Sequence, residues 1–141
     1  MADIKLTIYL KDCQQAITKA MCEALEEVTG EMEARTKDNT KAKTGKTKGS
    51  WEHKVDEVNG VGYVGSNYQN AIWEEFGTGI YAQEGNGRKD VPWTYGTPDG
   101  KFYKTKGKKP RRALQNAFNS MQYKIEKYFR ERFGDIKRLK F

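Results

Sequence analysis

A chain of 141 residues has room for one hydrophobic core and little more. Apolar residues make up 36% and charged residues 32%, with mean hydropathy −0.93, and no apolar run approaches the ~20 residues of a membrane span. Aromatics at 12% argue against a wholly disordered chain, and a formal charge of +7 favours polyanions or acidic protein surfaces as partners.

The charge is unevenly placed. Asp12–Arg35 is acidic, whereas Lys37–Lys54, Lys101–Arg112 and Lys124–Lys140 are basic. Such asymmetry suits contact with nucleic acid and equally suits head-to-tail packing of identical copies. Cys13 and Cys22 are nine residues apart, on opposite faces of any helix at about 100° per residue, so reduced thiols are expected. The first residues carry no pattern of a cleaved leader, which predicts a soluble chain assembled in the cytoplasm.

The alternation Ile4, Leu6, Ile8, Leu10 predicts a short strand. A helix is expected next, capped by Asp12, because Cys13, Ile17, Ala20, Met21, Ala24, Leu25, Val28 and Met32 recur at spacings of three and four. Gly30 inside that stripe predicts a kink or fraying. From 36 to 50 the pattern dissolves into Lys, Thr, Gly and Asn, which predicts a flexible basic loop.

Strands are expected over Ser50–Val58 and Val61–Ser66 around the Asn59-Gly60 turn signal. A short helix over Asn67–Phe76 should stop at Gly77, and a glycine-rich loop should run over 79–90. A second hairpin is expected from Val91–Tyr95 and Lys101–Thr105 around Pro98 and Gly100. Pro110 should open the last helix, with Leu114, Ala117, Phe118, Met121, Ile125, Tyr128 and Phe129 on its apolar face and Gly134 as its stop. The segment 135–141 reads as a basic tail. Together these elements predict one α+β domain over 1–141, two amphipathic helices packed on one antiparallel β-sheet, with long basic and glycine-rich loops.

Catalytic chemistry is poorly supported. His53 is the single histidine, and no spacing gathers Glu52, Glu74 or Glu75 around it; the strand alternation places it on the surface beside Trp51 and Val55. Glu74–Glu75 lacks further metal ligands and suits a salt bridge better than a cation. Gly77-Thr-Gly79 lacks the Lys-Ser/Thr of a phosphate loop and reads as a helix stop. No cofactor or metal is expected. The lysines of 41–48, interleaved with Thr and Gly, suit a phosphate backbone, and Trp51, Trp93, Tyr95, Phe102 and Tyr103 are able to stack on bases or to fill a core or interface.

Three stretches carry a resemblance: Thr44-Gly45 with Ser50; Tyr68 through Ala71, Glu75, Phe76, Gly77 and Thr78; and Gly107, Pro110, Ala113, Leu114 and Ala117. In this order the chain resembles the head–tail joining family of tailed bacteriophages, the neck or tail-completion proteins also called minor tail components. The match spans most of Met21–Phe129. It departs from the family where alanine stands three residues after Tyr68 rather than next to it, where Ala113 replaces an aromatic, and where no proline precedes the Thr-Gly loop.

The resemblance implies a non-enzymatic virion protein. Copies would form a homo-oligomeric ring, commonly hexameric, at the head–tail junction or tail terminus. Its partners would be the connector or head-closure protein and the tail-terminator or tail-tube protein, with transient contact to DNA passing through the channel and none to membrane. On this reading Lys41–Trp51, including Lys43, Thr44, Lys46, Lys48 and Trp51, is a docking segment, and Gly79–Asp90 with Arg88 a second. Trp73, Glu75, Phe76, Thr78 and Arg111 would contact a neighbouring subunit. The alternatives are a basic nucleic-acid-binding module and a small ribonuclease-like toxin using His53.

Overall fold

The computed structural model describes residues 2–41 and 45–136, with side-chain surroundings given for 11–41 and 45–134. The chain runs α1 (Ala2–Asn39), α2 (Lys46–Gly49), β1 (Trp51–Asp56), β2 (Val61–Ser66), α3 (Gln69–Phe76), a 3₁₀ turn (Gly79–Tyr81), β3 (Trp93–Gly96), β4 (Phe102–Thr105) and α4 (Ala113–Ile136). The α+β class expected from sequence is therefore present, but its layout differs in several places.

The strand expected over Ile4–Leu10 does not form; these residues belong to α1. An alternating segment becomes a strand only when it finds a neighbour to pair with, and β1–β2 and β3–β4 pair with each other alone. No glycine or proline separates Leu10 from Cys13, so extending the helix is easier than starting a new element. Asp12 accordingly lies inside α1 rather than capping it, and α1 continues through Gly30.

Helices α1 and α4 pack antiparallel. Their contacts run in opposite senses along the two chains: Asn39 Nδ2 donates to the Ala113 carbonyl at 3.1 Å, Arg35 Nη1 to Ser120 Oγ at 3.0 Å, and Arg132 Nη1 to Glu23 at 3.2 Å. Along this seam Ala20, Ala24 and Val28 of α1 and Ala113, Ala117 and Met121 of α4 are all buried. Small side chains on both seams allow the two backbones to approach closely, and Met121 fills the space that remains. This seam is the core of the molecule.

The hairpin β1–β2 lies against the other flank of α1, with Trp51 paired to Ser66, His53 to Val64 and Val55 to Gly62. Gly62 sits directly beneath the helix: a Cβ there would stand 2.5 Å from Thr29 Cγ2. Strand β1 ends two residues earlier than expected because the Asp56 carboxylate accepts the N–H groups of Val58 and Asn59, which closes a four-residue loop over 57–60. The second hairpin, β3–β4, forms a separate two-stranded sheet, so the single sheet expected from sequence is two.

The segment 36–50 is more structured than its composition predicts. Helix α1 covers it to Asn39, and the buried hydroxyls of Thr36 and Thr40 donate back to the carbonyls of Met32 and Thr36, each at 2.7 Å. Thr47 is buried in α2, where it accepts Asn70 Nδ2 at 2.9 Å. Lys43 and Thr44 lie outside the described residues, as does 137–141 of the expected tail. The expected stop at Gly134 is passed, since α4 runs to Ile136.

Candidate interface around α3

Helix α3 is short and two-faced. Ala71 and Glu75, one turn apart, point inward and are buried, while Ile72, Trp73 and Phe76 are turned outward, Trp73 to 52% and Phe76 to 43% exposure. Gly77 ends the helix at φ +80°, as the sequence predicts, and its N–H returns to the Trp73 carbonyl at 2.9 Å. In the next turn Ile80 and Tyr81 are exposed as well.

Beneath this surface two distant segments cross. Thr78 N–H donates to the Lys108 carbonyl at 2.9 Å and Ile80 N–H to the Lys106 carbonyl at 3.1 Å, while Lys108 N–H donates to Thr78 Oγ1 at 2.9 Å. The crossing requires glycine on both sides. A Cβ on Gly79 (φ +60°) would stand 2.1 Å from the Lys106 oxygen, and one on Gly107 (φ +127°) 2.1 Å from the Thr78 oxygen.

The same crossing fixes the start of α4. Pro110 does not open that helix: Arg111 N–H donates to the Glu74 carbonyl at 2.7 Å, Arg112 turns the chain at φ +53°, and the helix begins at Ala113. The buried Glu75 carboxylate accepts the N–H groups of Leu114 and Gln115, both at 2.9 Å. It thereby supplies the cap that no residue next to α4 provides, and it places a negative charge at the positive end of the helix. Glu74 pairs with Lys108 and lies 3.0 Å from Arg111 Nε.

The residues expected at an interface therefore divide. Trp73 and Phe76 present apolar surface to solvent. Glu75 is turned into the protein, Thr78 is half-buried in the crossing, and Arg111 holds Glu74. Arg88 lies over the Trp93 ring at 5.2 Å beside a cleft of about 490 Å³ that Trp73, Phe76 and Asn86 also line. Trp51 is 4% exposed and donates its indole N–H to Thr40 Oγ1 at 2.9 Å, which makes it a core residue. Lys46 sits 4.9 Å over the Tyr68 ring, and Lys48 is exposed.

Sequence reasoning missed Ile72, which lines the cleft beside Trp73 and Phe76, the exposure of Ile80 and Tyr81, and the partners of His53. That histidine is half-buried rather than superficial: Nε2 lies 2.7 Å from Glu26, and Nδ1 meets Glu33. The signal was the seven-residue spacing of the two glutamates, which puts them on one face of α1. With both nitrogens held by carboxylates, the imidazole is not paired to a nucleophile. Among the described residues no group of three or more His, Cys, Asp or Glu is placed to hold a metal, and no helix is long and apolar enough to cross a membrane. What this arrangement offers chemically is an apolar surface on α3 backed by a bonded crossing, while Lys104, Lys106, Lys109 and Arg112 are exposed on the chain that leads into α4.

The chain matches no family model, no curated protein and no solved structure.

Proposed function

We propose that this chain is a structural protein of a tailed phage, a prophage or a tail-like particle, forming a ring at the head–tail junction or tail terminus and joining the tail to the connector. It acts by docking and carries out no reaction. The observation that carries this reading is the crossing under α3. Two of the three segments that carry the family resemblance, around Glu75–Thr78 and Gly107–Ala117, are bonded into one unit whose outer side is Ile72, Trp73 and Phe76. A rigid backing beneath a protruding tryptophan and phenylalanine suits a subunit contact, because anchors that are already ordered lose little freedom on binding.

Light scattering coupled to size-exclusion chromatography over a range of concentrations tests the proposal. A closed ring or a concentration-dependent oligomer supports it, and a monomer at every concentration counts against it. The exposed cations of Lys104–Arg112 favour a second reading, a nucleic-acid-binding module. Tight oligonucleotide binding by a monomer, weakening steeply with salt, would favour that module over the ring.

A further inference from the structure

We propose that His53 is a proton-controlled staple holding the β1–β2 hairpin on α1, closed when the imidazole carries both protons and loosened when it loses one. The proposal is independent of the ring.

The geometry suits the doubly protonated ring, with a carboxylate at each nitrogen. Glu26 and Glu33 stand seven residues apart on one face of α1, and the imidazole lies between them with one nitrogen on each. The ring lies over Gly30, midway between the glutamates; a Cβ there would stand 3.8 Å from Cε1 and Nε2, in ordinary contact. Only the imidazolium has two N–H donors. A neutral ring keeps one, so one carboxylate is left facing a lone pair.

The surrounding charges point the same way. On α1 the ring faces Glu26 and Glu33, and Lys37 Nζ lies 2.6 Å from Glu33. On its own strand Glu52 and Lys54 alternate to the opposite face, where Tyr63 is the partner of Lys54, and across the hairpin the partner of His53 is the uncharged Val64. Glu52, Lys54 and Tyr63 line a shallow cleft with His53. Two carboxylates, one ammonium and one imidazolium balance; without the proton the cluster carries a net negative charge.

Hydrogen bonding to Glu33, then to Glu26, raises the His53 pKa above its ordinary value against the opposing pull of desolvation. Glu33 is held below the usual carboxylate range, first by Lys37 and then by His53. The raised histidine stabilises the attached hairpin fully below the ordinary imidazole pKa, and this contribution disappears as pH rises through the raised value. At the acid end it disappears as pH falls through the lowered Glu33 value. The staple is closed between the two.

What it controls is the hairpin's seat. A two-stranded hairpin is marginal alone and depends on the surface it packs against. Strand β2 also forms one wall of an open apolar groove of about 640 Å³ between the hairpin and α4, where Val28, Met32, Val64, Phe118 and Phe129 meet. Loosening the staple therefore shifts one wall of that groove.

Because His53 is the single histidine, its titration in the full chain is read without assignment ambiguity by imidazole NMR. The expected result is a pKa above the ordinary value, lowered in both Glu33→Gln and Glu26→Gln. Hydrogen exchange of the Trp51–Asp56 amides, taken as a ratio to α4 amides at the same pH, should rise through that pKa. The rise should be about tenfold for each unit by which the pKa is elevated, and it should vanish in Glu26→Gln in proportion to the pKa lost. An imidazole pKa at or below the ordinary value, a pKa unmoved by both glutamine variants, or a hairpin-to-α4 exchange ratio flat with pH would each overturn the proposal.

Discussion

Glu75 and Leu114 are 39 residues apart in sequence, yet the carboxylate of the first accepts the backbone N–H of the second at 2.9 Å, with Gln115 alongside at the same distance. The first turn of the longest helix after α1 is thus completed by a residue of α3. Replacing Glu75 with alanine removes the cap and leaves two part-buried amides without their acceptor. Stability should fall by about 2–3 kcal/mol in urea unfolding, and Glu75→Gln, which keeps an acceptor, should lose less.

The crossing of 78–80 with 106–108 separates two kinds of glycine. Gly79→Ala drives a methyl into the Lys106 carbonyl and should cost about 4 kcal/mol or more, or prevent folding. Gly85 also has positive φ (+69°) but meets nothing within 4 Å, so Gly85→Ala should cost only about 1 kcal/mol. Thermal melts of the two variants check the contrast. Equal losses would mean that the close approach at Gly79 is not a constraint.

Trp51 and Trp73 have opposite expected signatures. Trp51→Ala empties a core site and should lose about 3–5 kcal/mol of stability, whereas Trp51→Phe, which drops the indole donor to Thr40, should lose about 1–2 kcal/mol.

Trp73→Ala should leave the unfolding midpoint nearly unchanged, within about 0.5 kcal/mol, because the side chain is half exposed. In sedimentation velocity it should weaken self-association by about 2 kcal/mol, roughly thirtyfold in dissociation constant. Unaltered self-association would remove α3 from the interface.

Local patterns in the sequence were legible where local forces decide. The four-residue spacing of Ala20, Ala24 and Val28 marks the buried stripe of α1, and Asn59-Gly60 locates the first hairpin. The span Val61–Ser66 and the halt at Gly77 were read directly. The failures share a cause: each was settled by a partner distant in sequence. Ile4–Leu10 alternates like a strand but has no strand beside it. Thr36, Thr40 and Thr47 read as loop because of their composition, yet bury their hydroxyls against helix carbonyls, Trp51 and Asn70. Pro110 is a good helix opener by local rules, but the bond from Arg111 to Glu74 delays the start to Ala113. The candidate interface was half visible: the outward aromatics of α3 were found, while the inward role of Glu75 depends on where α4 begins.

The seat of Gly62 under Thr29 couples two positions that no sequence window would join. Any side chain at 62 must be matched by a smaller residue at 29, so in diverging descendants of this chain the pair should trade volume rather than drift separately. A bulky residue at one site paired with glycine or alanine at the other would be the inherited trace of helix and hairpin pressed together at this point.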